Sequence, residues 1–213
     1  MKKLLSLLSI ILLISACEDT NPTESALDSN ITINNYGTGT VCGGAVMSFD
    51  DKVYRSFEGG IASLDEELNI NESDKIGDFN QSEVYHIEII DGDIWFSLTD
   101  YSNYNEVRVL NSSGSEIASY QDVGIAPGDF TKWTYDDKSW IFIANEGNYG
   151  SSNGSITMIN QDGNISQLED VGDVVQSLEI WEDKLVVLVN NSHKMMIYSI
   201  TEDGLNLPGI EIL

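Results

Sequence analysis

Cysteine is nearly absent from this chain: Cys17 and Cys42 are the only two. Histidine is as scarce, with His86 and His193 far apart and no cysteine beside either. A clustered metal site or a Ser-His-Asp triad therefore has almost nothing to be built from. Basic residues are also few, 10 against 35 acidic ones, for a net charge of −25. A surface this acidic repels phosphate backbones, so nucleic acid is excluded as a partner. Beyond the first sixteen positions no apolar period of 3.6 residues is sustained, which argues against a helical architecture. No apolar run approaches the ~20 residues of a spanning helix, and the longest is Leu4 to Ala16. What remains is ample material for a core: hydrophobic residues make up 41% of the chain, including four Trp and nine Tyr. That content suits one folded domain and rules out a wholly disordered chain.

The amino terminus carries its own signal. Lys2 and Lys3 precede the uncharged run, which closes on Leu13-Ile14-Ser15-Ala16-Cys17. A charged start, an apolar middle and a small-residue cleavage site are the parts of a secretory leader. Ile14 three positions before the cysteine, with small Ser15 and Ala16 between, resembles the lipobox of bacterial lipoproteins. The resemblance implies cleavage before Cys17, diacylglycerol on its thiol and acylation of the freed amine. Two or three acyl chains, at about 0.8 kcal/mol per buried CH₂, give a stable membrane anchor. With Cys17 consumed, an internal disulfide is excluded, and Cys42 is expected to serve as a small buried apolar residue. The stretch Glu18 to Asn35 is polar, contains Pro22 and is expected to be a flexible tether. Glu18-Asp19 directly behind the lipid site resembles the acidic export signals of surface lipoproteins in Bacteroidetes. The expected location is thus the outer membrane facing the cell surface, with its periplasmic face as the alternative. The layout becomes leader 1–16, lipid site and tether 17–35, and globular part 36–213.

Within the globular part the sequence repeats at roughly 45 residues. An aromatic residue, two acids and a lysine recur as Phe49-Asp50-Asp51-Lys52, Tyr135-Asp136-Asp137-Lys138 and Trp181-Glu182-Asp183-Lys184, with Ile90-Asp91-Gly92-Asp93 as a weaker copy. Ile76-Gly77, Val123-Gly124 and Val171-Gly172 recur at a similar spacing. Val107 to Gly114 aligns without a gap with Ile156 to Gly163, and Val84 to Thr99 with Val175 to Asn190. Each unit contains short β-branched and aromatic segments separated by Asp, Asn and Gly turns, the pattern of strands and hairpins. Three strands are plain in each unit and there is room for a fourth, which predicts the four-stranded blade of an all-β propeller. Sandwiches lack such a repeat and solenoid coils are shorter. The predicted blades are 41–80, 81–124, 125–172 and 173–213. They form either a compact four-bladed ring, closed by Asn30 to Tyr36 as the outer strand of the last blade, or a shortened relative of seven-bladed propellers. In the second case open edge strands would favour self-association.

One segment resembles a known family. Ile141 to Thr157 contains Asn145-Glu146-Gly147-Asn148-Tyr149-Gly150 and is similar to the "N-E-G-N-aromatic-G" loop of the YncE-like propeller lipoproteins of Bacteroidetes. The resemblance implies a non-enzymatic surface propeller, in some relatives associated with TonB-dependent transporters and in certain ones capturing corrinoids such as cobalamin. It brings no catalytic residues. A quinoprotein- or lyase-type propeller enzyme and a truncated paralogue without a ligand are the alternatives.

The residues of that loop suggest a binding surface. Asn145, Glu146, Asn148 and Asn153 offer amide and carboxylate groups, and Tyr149 offers a flat face. The loop at the equivalent point of the second unit adds Tyr101 and Tyr104. The structural alternative is an irregular loop whose Asn side chains satisfy its own backbone. Asp91-Gly92-Asp93 and Asn160 to Asn164 resemble fragments of calcium loops, yet neither has the spaced Glu of an EF-hand, so hairpin turns are expected. No dedicated cofactor or metal is predicted, beyond adventitious Ca²⁺ on the acidic surface. The four tryptophans, Trp95, Trp133, Trp140 and Trp181, are expected to pack between blades.

Overall fold

The computed structural model describes residues 46–49, 52–57, 60–67, 69–71, 73 and 83–213, all within one compact unit, Gly37–Leu213. The leader, Cys17, the tether, Cys42 and the segment Asn30 to Tyr36 lie outside the described residues. Among the described residues fifteen antiparallel strands form four sheets in chain order. The first holds β1 (Val46–Phe49), β2 (Lys52–Phe57) and β3 (Gly60–Ser63). The second holds β4 (Glu83–Ile90), β5 (Asp93–Thr99), β6 (Asn105–Leu110) and β7 (Glu116–Tyr120). The third holds β8 (Pro127–Tyr135), β9 (Lys138–Asn145), β10 (Gly154–Asn160) and β11 (Ile165–Gly172). The fourth holds β12 (Val175–Trp181), β13 (Lys184–Val189), β14 (Lys194–Thr201) and β15 (Gly204–Ile212). β15 fills the outer position of the last sheet that the sequence had offered to Asn30 to Tyr36.

Every sheet is a meander among the described residues, and β7 leads into β8 and β11 into β12 as the outermost strand of one sheet and the first of the next. Neighbouring sheets meet mainly through those first strands, β1 with β4, β4 with β8 and β8 with β12. Meanders arranged around shared inner strands are the blades of a β-propeller. The period-2 alternation of each second strand explains the packing. On β5, Ile94, Phe96 and Leu98 join Ile61 of the first sheet. On β9, Ile141 and Ile143 join Val107 and Phe130, while Trp140, Phe142 and Ala144 turn the other way. There they meet Leu185, Val187 and Val189 of β13. Each buried Leu, Ile, Val or Phe contributes about 1.5–3 kcal/mol, so these three layers supply much of the fold's stability.

The acidic turn motifs sit where the strands reverse. Asp91, Asp136 and Glu182 each take positive φ at the hairpin following a first strand. Asn111 and Asn160, equivalent in the repeat, close the next turn in the same way: each side-chain oxygen accepts from the backbone N–H two and four residues on, at 2.9–3.0 Å. Trp133 and Trp140 are buried between sheets and Trp95 stacks on Tyr120. Trp181 departs from expectation and is exposed, because it lies on the face of the fourth sheet that no described strand covers.

Candidate binding rim

The inner strands share one irregularity. The pairing of β4 with β5 shifts between Val84 and Ile87, that of β8 with β9 between Pro127 and Phe130, and that of β12 with β13 between Val175 and Ser177. Each shift inserts one extra residue into the inner strand, a β-bulge that redirects side chains. In β4 the bulge releases Tyr85 and His86, and in β8 it releases Gly128 and Asp129, all at the central end of the sheets.

Tyr85 is the organising residue. Its hydroxyl donates to Glu146 Oε1 at 2.6 Å, and its ring meets Tyr101 edge-on with centroids 5.5 Å apart. The β9–β10 loop is thereby tied to the β5–β6 turn through a residue of β4. Burial, followed by the adjacent Glu146 carboxylate, pushes the Tyr85 phenol far above its ordinary range. Burial also raises Glu146, although the Tyr85 hydrogen bond works in the opposite direction. The backbone anchors the same loop to both inter-sheet connections. Glu146 N–H donates to the Ala126 carbonyl, Gly147 N–H to that of Ile125, and Val174 N–H to that of Glu146. Gly150 N–H donates to Asp173 Oδ1 at 3.0 Å, and Asp173 also accepts from Asn191 of the β13–β14 turn. Loops of the second, third and fourth sheets thus form one connected rim.

The candidate residues divide within this frame. Glu146 and Tyr101 come together through Tyr85, and Tyr149 projects at 83% exposure. Asn153 accepts from Asn148 N–H at 2.9 Å and shapes the loop. Asn145 is fully buried, its amide donating to Ser155 and Thr157, so it joins β9 to β10 and offers nothing to a ligand. Tyr104 is turned into its own sheet, where its hydroxyl donates to Glu106. The recurring Val-Gly pairs gain a reason here: a Cβ on Gly124 would lie 2.7 Å from Asn145, and one on Gly172 2.6 Å from Val189. Both crossovers therefore need glycine for close approach.

Below the rim, His86 Nε2 lies 3.7 Å from Glu88 and 3.8 Å from Asp129. Burial lowers the imidazole against the pull of both carboxylates. Asp129 Oδ2 accepts from Ser177 Oγ and Leu178 N–H and so clamps the third sheet to the fourth. Beside it a shallow groove is lined by Glu88, Asp91, Phe130 and Lys132, with Asp91 paired to Lys132. Among the described residues no three His, Cys, Asp or Glu side chains converge on a metal position. Tyr85 and Asp129 escaped sequence reasoning, yet a signal existed. Buried Val84 and Ile87 are three apart where a strand period of two was expected, which marks the bulge.

No protein-family model and no curated protein matches this chain. Solved structures do. A protein of unknown function from Bacteroides caccae superposes with a TM-score of 0.55 at 11% identity, over 78% of this chain and 59% of that one. A chain of a nidogen–laminin complex gives a TM-score of 0.53 at 12% identity, over 76% of this chain and 60% of that one. At these identities the likeness is one of fold. The chain spans about three fifths of the length of the structures it matches.

Proposed function

We propose that this chain is a lipid-anchored, non-enzymatic binding propeller of the YncE-like kind, held through Cys17 on the outer membrane and facing the cell surface. Its rim around Tyr85, Tyr101, Glu146 and Tyr149 receives a small ligand, alone or while docked on a TonB-dependent transporter. The observation that supports this reading most is the Glu146–Tyr85–Tyr101 cluster, in which one tyrosine links a half-buried carboxyl to a second aromatic ring on loops that three sheets hold in place. Pre-positioned loops lower the ordering cost of binding. Aromatic edges with one acceptor suit a ligand that has a flat apolar portion and hydrogen-bond donors, and the amide-fringed corrin ring of cobalamin meets that description.

The test is a calorimetric titration of the chain from Glu18 onward, which retains the whole compact unit, with cobalamin, heme and Ca²⁺ in parallel. Saturable cobalamin binding that weakens at least tenfold in Tyr101→Ala and Glu146→Ala is expected. Absence of binding by all three would remove ligand capture and leave docking on a protein as the role of the rim.

A further inference from the structure

The bulges of the inner strands interlock, and a histidine sits where two of them meet. In β4 the bulge spans Tyr85 and His86, and in β8 it spans Gly128 and Asp129. The Tyr85 ring runs alongside Gly128, where an added Cβ would lie 3.6 Å from Cε1. The next pair, His86 and Asp129, face each other at 3.8 Å. Asp129 carries the contact onward, because its Oδ2 accepts from Ser177 Oγ at 3.0 Å and from Leu178 N–H at 2.7 Å, beside the bulge of β12. His86 therefore heads a chain of contacts through the inner strands of three consecutive sheets.

The imidazole is unfinished at one atom. Among the described residues Nε2 finds no hydrogen-bond partner, and it is closed off from solvent. The carboxylate oxygens nearest it, Glu88 Oε2 of its own strand and Asp129 Oδ1 of the facing sheet, stand 3.7 and 3.8 Å away. Phe130 of β8 covers the ring edge-on at 5.1 Å, and Ser97 Oγ of β5 accepts from the His86 backbone N–H. Val84 and Ile87 of β4 enter the apolar layer with Ile61, and Lys132 of β8 is taken up by Asp91. Glu88 and Asp129 are thus the charges that act on the ring. A charged N–H draws a carboxylate oxygen to about 2.7–2.9 Å, so a proton on Nε2 requires one of them to close in by about 1 Å. Asp129 can do so only at the expense of its hold on Ser177 and Leu178.

We propose that His86 is an acid-sensitive latch, whose protonation draws Asp129 away from β12 and loosens the packing of β4, β8 and β12 beneath the rim. With the ring neutral, Asp129 is left to join the third sheet to the fourth. Burial disfavours the charged ring more than the two carboxylates favour it, which holds the folded pKa below the ordinary value of about 6.5. The unfolded chain then binds the proton more tightly. Stability from this group is full above the ordinary His range and is lost as pH falls from there through the folded pKa. Tyr85 precedes His86 in the same bulge, so the disturbance reaches the Tyr85–Glu146 hydrogen bond as well. The latch belongs to the fold and acts whatever the rim holds.

The chain has two histidines, so each imidazole can be followed separately in an NMR pH titration of the chain from Glu18 onward. His193→Gln, a change at an exposed turn, identifies the remaining signal as His86. A His86 midpoint below about 6.5 is expected, with the Leu178 amide that donates to Asp129 shifting at the same midpoint. In urea, the wild-type unfolding midpoint should fall further than that of His86→Gln as the pH is lowered from about 7 to about 5, a window that spans the ordinary His value. Both proteins contain Glu106 and Glu146, whose own titration cancels in that comparison. A His86 midpoint at or above the ordinary value overturns the proposal, as does a Leu178 amide that stays still while His86 titrates. Equal losses in the two proteins overturn it too, and should His86→Gln fail to fold, the wild-type titration decides alone.

Discussion

Two glutamates, one in the second sheet and one on the rim, each accept a hydrogen bond from a tyrosine, and the rest of their surroundings differ. Glu106 is 2% exposed and accepts from Tyr104, from Ser119 Oγ at 2.6 Å and from Arg108 Nη2 at 3.1 Å. Burial alone would raise its pKa, yet the three donors and the guanidinium charge together hold it below the usual carboxylate range. Glu146 is only partly buried, and Tyr85 is its side-chain donor among the described residues. Burial prevails there and pushes it upward. One carboxylate is fully compensated and acts as a structural charge. The other keeps acceptor capacity unused, which is what a binding position requires.

The largest expected effect breaks the first half of that contrast. Arg108→Met leaves Glu106 charged and without its cation, and removing one partner of a buried pair costs about 3–5 kcal/mol. Because Arg108 retains some solvent contact, we expect the lower end of that range in a urea unfolding curve. Adding Glu106→Gln should recover most of the loss; a double variant no more stable than Arg108→Met would show that the guanidinium acts by packing instead.

A smaller loss is expected from Gly147→Ala, which tests whether the loop must keep its shape to hold Glu146. Gly147 has φ +78°, and an added Cβ would lie 2.6 Å from Asn153 Oδ1 and 2.7 Å from Gly154 N. Strain of this kind costs on the order of 1–3 kcal/mol. Thermal unfolding should register it, and an unchanged midpoint would mean that the loop relaxes freely.

The pH dependence separates the two carboxylates by sign. Glu106, with its pKa lowered on folding, contributes stability that is present above the ordinary Glu range and lost as pH falls through its folded pKa. Glu146, with its pKa raised, does the reverse: the folded state binds the proton more tightly, so stability declines as pH rises from the ordinary Glu range through the raised value. Glu146→Gln keeps an acceptor for Tyr85 and removes that decline. The gain at neutral pH is expected to stay below about 1 kcal/mol, since the group is partly screened by solvent. Midpoints measured between pH 4 and pH 8 should converge for wild type and variant at the acid end, and parallel curves would count against the assignment.

The fold was legible because its signals are local and periodic. Aromatic-acid-acid-lysine turns, equivalent Asn111 and Asn160 and the alternation along β5, β9 and β13 each specify a hairpin or a face, and four copies of one pattern specify the architecture. The rim was legible only in part. Glu146, Tyr101 and Tyr149 stand out by residue type on Gly-rich loops, but Asn145 looked the same and is a buried strand tie. Tyr85 reaches Glu146 from 61 positions away in the chain, through a bulge, and no local pattern encodes that pairing. Trp181 was misjudged for a related reason: its face is apolar like the others, and only the arrangement of sheets shows that nothing described covers it.

The smallest effect on stability is expected at Tyr149, and it isolates the proposed role of the rim from its architecture. The side chain is almost entirely in solvent, so Tyr149→Ala should change the unfolding free energy by no more than about 0.5 kcal/mol. Base-free aromatic faces of this kind act through contact area with a ligand, so the same substitution should weaken cobalamin binding several-fold if the loop tip closes over the bound ring. The two readouts are independent. Lost affinity at constant stability would place Tyr149 in the binding surface beside Glu146. Unchanged affinity would confine the site to the Tyr85–Tyr101 side, and a large stability loss would show that the tip packs against the chain in solution and is no display surface at all.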